Sequence, residues 1–328
     1  MVQLEITLSQ AIDGFFLEKR AEQKSPHTIS DYRNSLRKLT TYLDGDPLLN
    51  QITTHQITEF IELLGRRVVA PAGIAARPAK TLSKKSILNV HTALHALWTW
   101  ATREGYADEH IMRRVPRPRP EQRAVVPYSK EDVVGMLEAC AKTDTYTRPG
   151  KKACANSRPT ALRDRAVILL LLDTGIRASE LCDLMLSNLD QKNSRIKIFG
   201  KGSKERLLPF GKRTAKAIWR YLATRSDCLP SNPVFLSTNG YDDPLNRTVL
   251  RRLLRRLGDR VQVTPVANVH RFRHTFAINF LRNGGDAYTL KAMLGHSTLD
   301  MVQRYLMIAQ ADTDAAHKRA SPVDNWKV

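Results

Sequence analysis

Residues 269–308 read VHRFRHTFAINFLRNGGDAYTLKAMLGHSTLDMVQRYLMI. Three helical stretches follow one another here: HRFRHTFAINFLRNG, AYTLKAMLG and LDMVQRYLMI, separated by glycine-bearing corners. His270 and Arg273 stand three apart at the start of the first helix, hence on one face, where the N-terminal N–H groups suit a phosphate. Arg271 and His274 are expected to point elsewhere on that helix and to lie outside any site. His296 follows Gly295 at a helix-to-helix corner, and Tyr305 comes nine residues later. The segment is helical and carries polar groups that core packing does not require.

Upstream, RPTALRDRAVILLLLDTG (158–175) reads as a strongly apolar, buried helix that would hold Arg177 of TGIRASEL rigidly at a loop edge. Glu180, three residues on, is placed to pin that guanidinium as a structural partner. SRIKIF and ERLLPF flank GKGSK, giving a β-hairpin whose turn carries Lys201 between Gly200 and Gly202, with Lys204 as a competitor for its role. Helices are expected at TAKAIWRYLATR and NRTVLRRLLRRLGDR, and SKEDVVGMLEACA opens with a capping box of Ser129 and Asp132. Each polar residue taken singly is ordinary: a turn lysine, a capping histidine, a packing tyrosine. As a set they are not. Two arginines, a lysine and two histidines can hold a phosphodiester and move protons around it, and a tyrosine can attack it.

The N-terminal 112 residues read as helices throughout, with no strand-like alternation. SQAIDGFFLEKRAEQ puts Ile12, Phe15, Phe16 and Lys19 at helical spacing, and SPHTISDYRNSLRKLTTYL enters through Ser-Pro with Ile29, Tyr32, Leu36, Leu39 and Leu43 on one stripe. ITTHQITEFIELLGR takes Thr54 as N-cap and Gly65 as stop, and SKKSILNVHTALHALWTWATREG closes at Gly105. Residues 113–127, RRVPRPRPEQRAVVP, hold four prolines and five arginines and read as an extended basic linker. The expected organisation is a helical domain at 1–112, the linker at 113–127, and a helical domain with a small sheet at 128–328.

The formal net charge is +20 and the pI about 10.1, which points to a polyanionic partner, nucleic acid first. The charge is uneven: residues 1–112 hold 13 Lys and Arg against 12 Asp and Glu, the remainder 39 against 20. The longest apolar run, Ala166 to Leu172, is far short of the ~20 residues of a membrane span. No leader pattern opens the chain, and the four dispersed cysteines (Cys140, Cys154, Cys182, Cys228) fit neither a zinc site nor a disulfide framework, so a reducing cytoplasm is expected. RNP-type aromatic motifs of RNA binders are missing.

The order Arg177, Lys201, His270-x-x-Arg273, His296, Tyr305 resembles the tyrosine recombinase (phage integrase) family. The likeness runs through TGIRASELCDL, GKGSKERLLPF, VHRFRHTFA and LGHSTLDMVQRY, and the gaps of 24 residues from Arg177 to Lys201 and nine from His296 to Tyr305 are similar to Xer-type members. What the resemblance implies is concrete. The fold is mainly α: an N-terminal four-helix core-binding bundle and an α+β catalytic domain of helices with a small antiparallel sheet, closing as a C-shaped clamp on DNA. Tyr305 is the nucleophile, Arg177, Arg273 and His296 bind the phosphate, His270 is the general base and Lys201 the general acid, with no cofactor and no metal. The partner is double-stranded DNA with an inverted-repeat core site, on which four protomers assemble, with accessory DNA-bending or partner recombinase proteins as further partners. A nucleoid-associated location follows. Lys84, Lys85, Arg113, Arg114, Arg117, Arg119, Lys151, Lys152 and Lys204 are the expected DNA contacts. Integration, excision or transposition of a mobile element is the reading favoured. Xer-type dimer resolution, a topoisomerase-like strand passer and a non-catalytic DNA-binding accessory protein are the alternatives.

Overall fold

Four helices account for the first hundred residues: α1 (Leu8–Ala21), α2 (Pro26–Tyr42), α3 (Thr54–Arg66) and α4 (Lys84–Arg103). Their starts follow local chemistry. Thr7 and Gln10 form a capping box on α1, and Ser25 caps α2 with Pro26 as first helical residue. The cap of α3 is Thr53 rather than Thr54: Gln56 N–H donates to Thr53 Oγ1 at 3.2 Å, while Gln56 Oε1 accepts from the Thr53 N–H at 2.8 Å. The central helix is α4, whose Val90, Leu94, Leu97, Trp98 and Trp100 are buried with Phe15, Leu36, Leu39 and Phe60 of the others. Gly14 has no room for a side chain, since a Cβ would meet the Trp100 ring at 2.8 Å.

Two expectations change here. A short antiparallel pair, β1 (Val68–Val69) with β2 (Lys80–Thr81), stands where no strand was expected, because two-residue strands carry no readable alternation. The segment after residue 112 does not begin as a free extended strap: Ile111–Arg113 is a 3₁₀ turn, and Met112 and Val115 are buried in the N-terminal core.

The structure is a computed structural model that describes residues 5–66, 68–69, 80–121, 125–143, 156–199, 205–226, 228–237, 243–296, 298–309, 317 and 321–326. The chain divides into two compact units, Met1–Arg123 and Ala124–Val328, each with its own core.

In the second unit α5 (Lys130–Ala139) begins with the Ser129/Asp132 capping box. It is followed by α6 (Ala161–Thr174) and α7 (Ala178–Cys182). Helix α6 is apolar on nearly every side, with Ala166, Val167, Ile168, Leu170 and Leu171 fully buried, as a helix enclosed by others must be. It packs against α8 (Lys212–Leu222) and α10 (Val269–Arg282). The sheet is antiparallel in the order β3 (Leu189–Asp190), β4 (Arg195–Phe199), β5 (Glu205–Pro209), with Ile196 opposite Leu208 and Phe199 opposite Glu205. β4 and β5 are the two strands expected of the hairpin; β3 and α7 are additions to the reading. After α9 (Arg247–Arg260), capped by Asn246, the chain ends in α10, α11 (Ala287–Leu294), α12 (Asp300–Ala309) and a short helix, Pro322–Trp326. Among the described residues no helix is long and apolar enough to cross a membrane.

Candidate active site

Helix α6 stops at Gly175, whose φ of +60° is left-handed and whose absent Cβ would meet Phe276 at 2.6 Å. This stop fixes Arg177 as the N-cap residue of α7. The Arg177 N–H and Nη1 both donate to the Glu180 carboxylate, at 2.9 and 2.8 Å, and Nη2 donates to the Gly295 carbonyl at 2.9 Å. Glu180 also accepts from Arg206 Nη2 at 2.7 Å, and Arg206 Nε reaches the Met293 carbonyl at 3.0 Å. Burial pushes the Glu180 carboxyl up, but the hydrogen bonds from Arg206 and Arg177 prevail and hold it below its ordinary value. Gly295 lies between these two guanidinium groups: it is left-handed at φ +62°, and a Cβ there would stand 3.2 Å from Arg206 Nη1 and 3.5 Å from Arg177 Nη1.

Arg273 enters the same cluster from α10. Its Nη1 donates to Gly175 O at 2.9 Å, and its Nη2 to Leu294 O at 2.5 Å and to His296 Nε2 at 2.9 Å. An arginine only donates, so His296 Nε2 accepts and the ring hydrogen sits on Nδ1. That Nδ1 is buried and has no partner among the described residues. Burial first, then Arg273 and Arg177, push His296 down to about 4, while burial and Arg177 push Arg273 down to about 10. At neutral pH the imidazole is therefore a neutral hydrogen-bond donor among fixed cations. A cavity of about 1060 Å³ opens on the cluster, lined by Arg177, Glu180, Arg206, Lys291, Gly295 and His296 among others.

Tyr305 of α12 is buried, with its ring stacked 6.4 Å from that of His296. Its hydroxyl lies 2.8 Å from His274 Nδ1. Here the sequence reading fails: His274, excluded from the site, touches the Tyr305 hydroxyl. His270, paired with Arg273 by spacing, is exposed, and its described contact is a ring stack on His274 at 6.3 Å. The i, i+4 spacing of His270 and His274 puts both on one side of α10 but does not say which of them meets α12. Arg271 does lie outside the cluster: it is buried and bonded to the carbonyls of Val126, Pro127, Thr264 and Pro265. Arg206 was missed. Its signal is the alternation of β5, which puts it on the same face as the buried Leu208.

Arg177, Arg273, His296 and Tyr305 thus come together on α7, α10, the α11 corner and α12. Two family descriptions match the chain: Phage integrase family over residues 150–311, and Phage integrase, N-terminal SAM-like domain, over residues 12–105. The chain belongs to the phage integrase family of tyrosine recombinases. It is an enzyme of the class that cuts and rejoins DNA strands, with DNA as its partner. The recombinase is similar along its length to Tyrosine recombinase XerC of Pelobacter propionicus, 26% identical with 96% of each chain covered. It is similar also to Tyrosine recombinase XerD of Mycobacterium tuberculosis, 29% identical with 94% of each covered. Its fold is shared with the Tn1549 transposon integrase in complex with transposon right end DNA, at TM-score 0.70 and 19% identity, covering 96% of this chain and 100% of that one.

Lys201, Lys204, Lys151 and Lys152 lie outside the described residues. Lys84 and Lys85 open α4, exposed, and Lys84 is paired with Glu121 at 3.1 Å. Arg113, Arg114 and Arg117 line a groove of about 790 Å³ together with Lys19, His91 and His95, and Arg114 pairs with Glu109 at 2.7 Å. Arg119 is exposed.

Proposed function

We propose that this recombinase cuts and rejoins DNA site-specifically through a 3′-phosphotyrosyl intermediate at Tyr305. The Tyr305 oxygen attacks the scissile phosphorus, forming an O–P bond while the bond to the 5′-oxygen breaks, and Lys201 supplies that oxygen with its proton. Arg177 and Arg273 stabilise the charge developing on the non-bridging oxygens, and the unpartnered Nδ1–H of His296 donates the third hydrogen bond. His270, on the exposed first turn of α10 with its ring stacked on His274, stays in the proposed set. The phosphodiester energy is kept in the tyrosyl ester, so rejoining is the same step reversed.

The observation that carries this reading is the pair of guanidinium groups locked on backbone carbonyls beside a buried tyrosine. Hydrogen bonds to Gly175, Leu294 and Gly295 fix them before substrate arrives, so little reorganisation remains for the reaction itself. The wider assignment is two domains that both engage duplex DNA, the first running to Arg123 rather than to residue 112, since Met112 and Val115 belong to its core. Four protomers on two inverted-repeat sites exchange strands through a four-way junction, in integration, excision or transposition of a mobile element. Xer-type dimer resolution is the second reading, supported by the similarity to XerC and XerD. Covalent trapping tests the chemistry. Protein is incubated, with chelator and without ATP, on nicked duplexes carrying inverted repeats from DNA flanking its own coding sequence. A denaturation-resistant adduct that Tyr305→Phe abolishes is the expected result. Binding to such a duplex without an adduct would favour a non-catalytic DNA-binding protein.

A further inference from the structure

Two histidines, His274 and His296, flank Tyr305, and a third, His270, stacks on His274. His296 Nε2 is taken up by Arg273 at 2.9 Å, and its ring lies parallel to the phenol rather than on the hydroxyl. His270 is exposed, and among the described residues it makes no hydrogen bond to Tyr305. His274 alone of the three reaches the phenolic oxygen, at 2.8 Å and inside a half-buried setting. We propose that His274 is a catalytic residue whose Nδ1 accepts the Tyr305 proton as the phenolic oxygen attacks the phosphorus. The inference rests on the reading of Tyr305 as nucleophile.

The step balances. The Tyr305 O–H bond breaks and its proton passes to His274 Nδ1, the O–P bond forms, the P–O5′ bond breaks, and the 5′-oxygen takes a proton from the Lys201 ammonium. Burial pushes the Tyr305 phenol up and the His274 imidazole down, so the proton stays on the tyrosine at rest. Transfer accompanies formation of the O–P bond, when the phenol's proton becomes acidic. The charged and titratable groups facing the pair are His270 and Arg273 on α10, Arg304 on α12 and His296 at the corner. Burial, His270 and Arg273 disfavour a lasting positive charge on His274, so the proton returns readily when the strand is rejoined. His274 also follows Arg273 directly on α10. One rigid helix therefore presents the phosphate clamp on one side and the proton acceptor about 100° round from it.

Two measurements test the pair. The first needs no DNA. Tyr305 is replaced by 3-fluorotyrosine and its fluorine resonance is titrated with pH in the wild-type background and in His274→Phe. A shifted resonance and a moved titration midpoint are expected on removing the ring nitrogen; superimposable titrations would overturn the proposal whatever the protein does to DNA. The second follows adduct formation on the nicked duplexes described above. His274→Asn keeps a hydrogen-bonding group near the Nδ1 position but cannot carry a proton away. We expect it and His274→Phe to cut about a hundredfold more slowly near pH 7. DNA affinity should be retained, and the rate should recover as the pH rises into the range where the phenol, held above its ordinary value by burial, ionises unaided. Wild-type rates in His274→Asn would reduce the histidine to a positioning role and sink the proposal. A wild-type protein that binds these duplexes but forms no adduct defeats the recombinase chemistry instead, and the fluorine titration still decides on the pair.

Discussion

Glu180 is an anion inside a cationic pocket, and its effect is on neighbours rather than on DNA. It holds Arg177 and Arg206 at 2.8 and 2.7 Å. In Glu180→Gln the two guanidinium groups repel without a counter-charge between them and Arg177 swings out of register. Adduct formation should fall by about tenfold or more, at the scale of a misplaced catalytic group, while DNA binding measured by fluorescence anisotropy changes little. Equal rates in both proteins would show that the Gly295 carbonyl suffices to hold Arg177. His296 gives a second prediction at this scale. Its pKa is about 6.5 when unfolded and about 4 when folded. Above pH 6.5 the ring is neutral in both states and its contribution to stability is fully present. As the pH falls the unfolded chain takes the proton first, so stability is lost progressively down to about pH 4, at most ~3 kcal/mol. Unfolding midpoints should drop more between pH 7 and pH 5 for the wild type than for His296→Asn. Parallel drops would mean that the imidazole titrates as in a free peptide.

Elements meet at glycines in this protein, and the clearest case is the end of α6. A methyl at Gly175 is strained by its positive φ and collides with Phe276 at 2.6 Å and Leu294 at 3.0 Å. Gly175→Ala should lose about 2–4 kcal/mol by chemical denaturation. A loss under ~1 kcal/mol would mean that α10 and α11 can shift to accept it. The glycine itself was visible in TGIRASEL, as were the hairpin strands on either side of GKGSK and the Ser129/Asp132 box, because each is settled by a few adjacent residues. His274 and Arg206 were not visible. Which side chain of α10 faces Tyr305 depends on where α12 packs, and neither the three-residue spacing of His270 and Arg273 nor the four-residue spacing of His270 and His274 contains that. Arg206 looks like any strand cation until the α11 corner brings the Met293 carbonyl to 3.0 Å. Local rules read elements well; a site made of four elements is assembled by contacts that the sequence separates by up to 118 positions, as between Arg177 and Gly295.

For the whole molecule the excess of cations sets how it finds and holds DNA. Residues 1–123 hold 18 Lys and Arg against 13 Asp and Glu, and residues 124–328 hold 34 against 19, so +15 of the formal +20, and with it most of the long-range attraction, lies in the second unit. If about 6–10 phosphates are neutralised, affinity for duplex DNA should fall by about 10³–10⁵ between 50 and 200 mM salt. Anisotropy titrations at several salt concentrations measure the slope, and a nearly flat dependence would contradict a backbone-tracking mode of binding.

Tyr305 does not sit in the main core of its unit. It belongs to a small cluster with Phe276, Ala277, Ile278, Leu290, Leu294 and Val302, separate from the large one built on α6 and the sheet. A patch of seven side chains releases far less free energy on closing than the core beside it, so α12 can detach and re-seat while everything that grips the phosphate stays folded. In hydrogen exchange that helix should lose protection well before α6. Loss of protection in α12 and α6 at one common rate would show that the two helices open as a single unit.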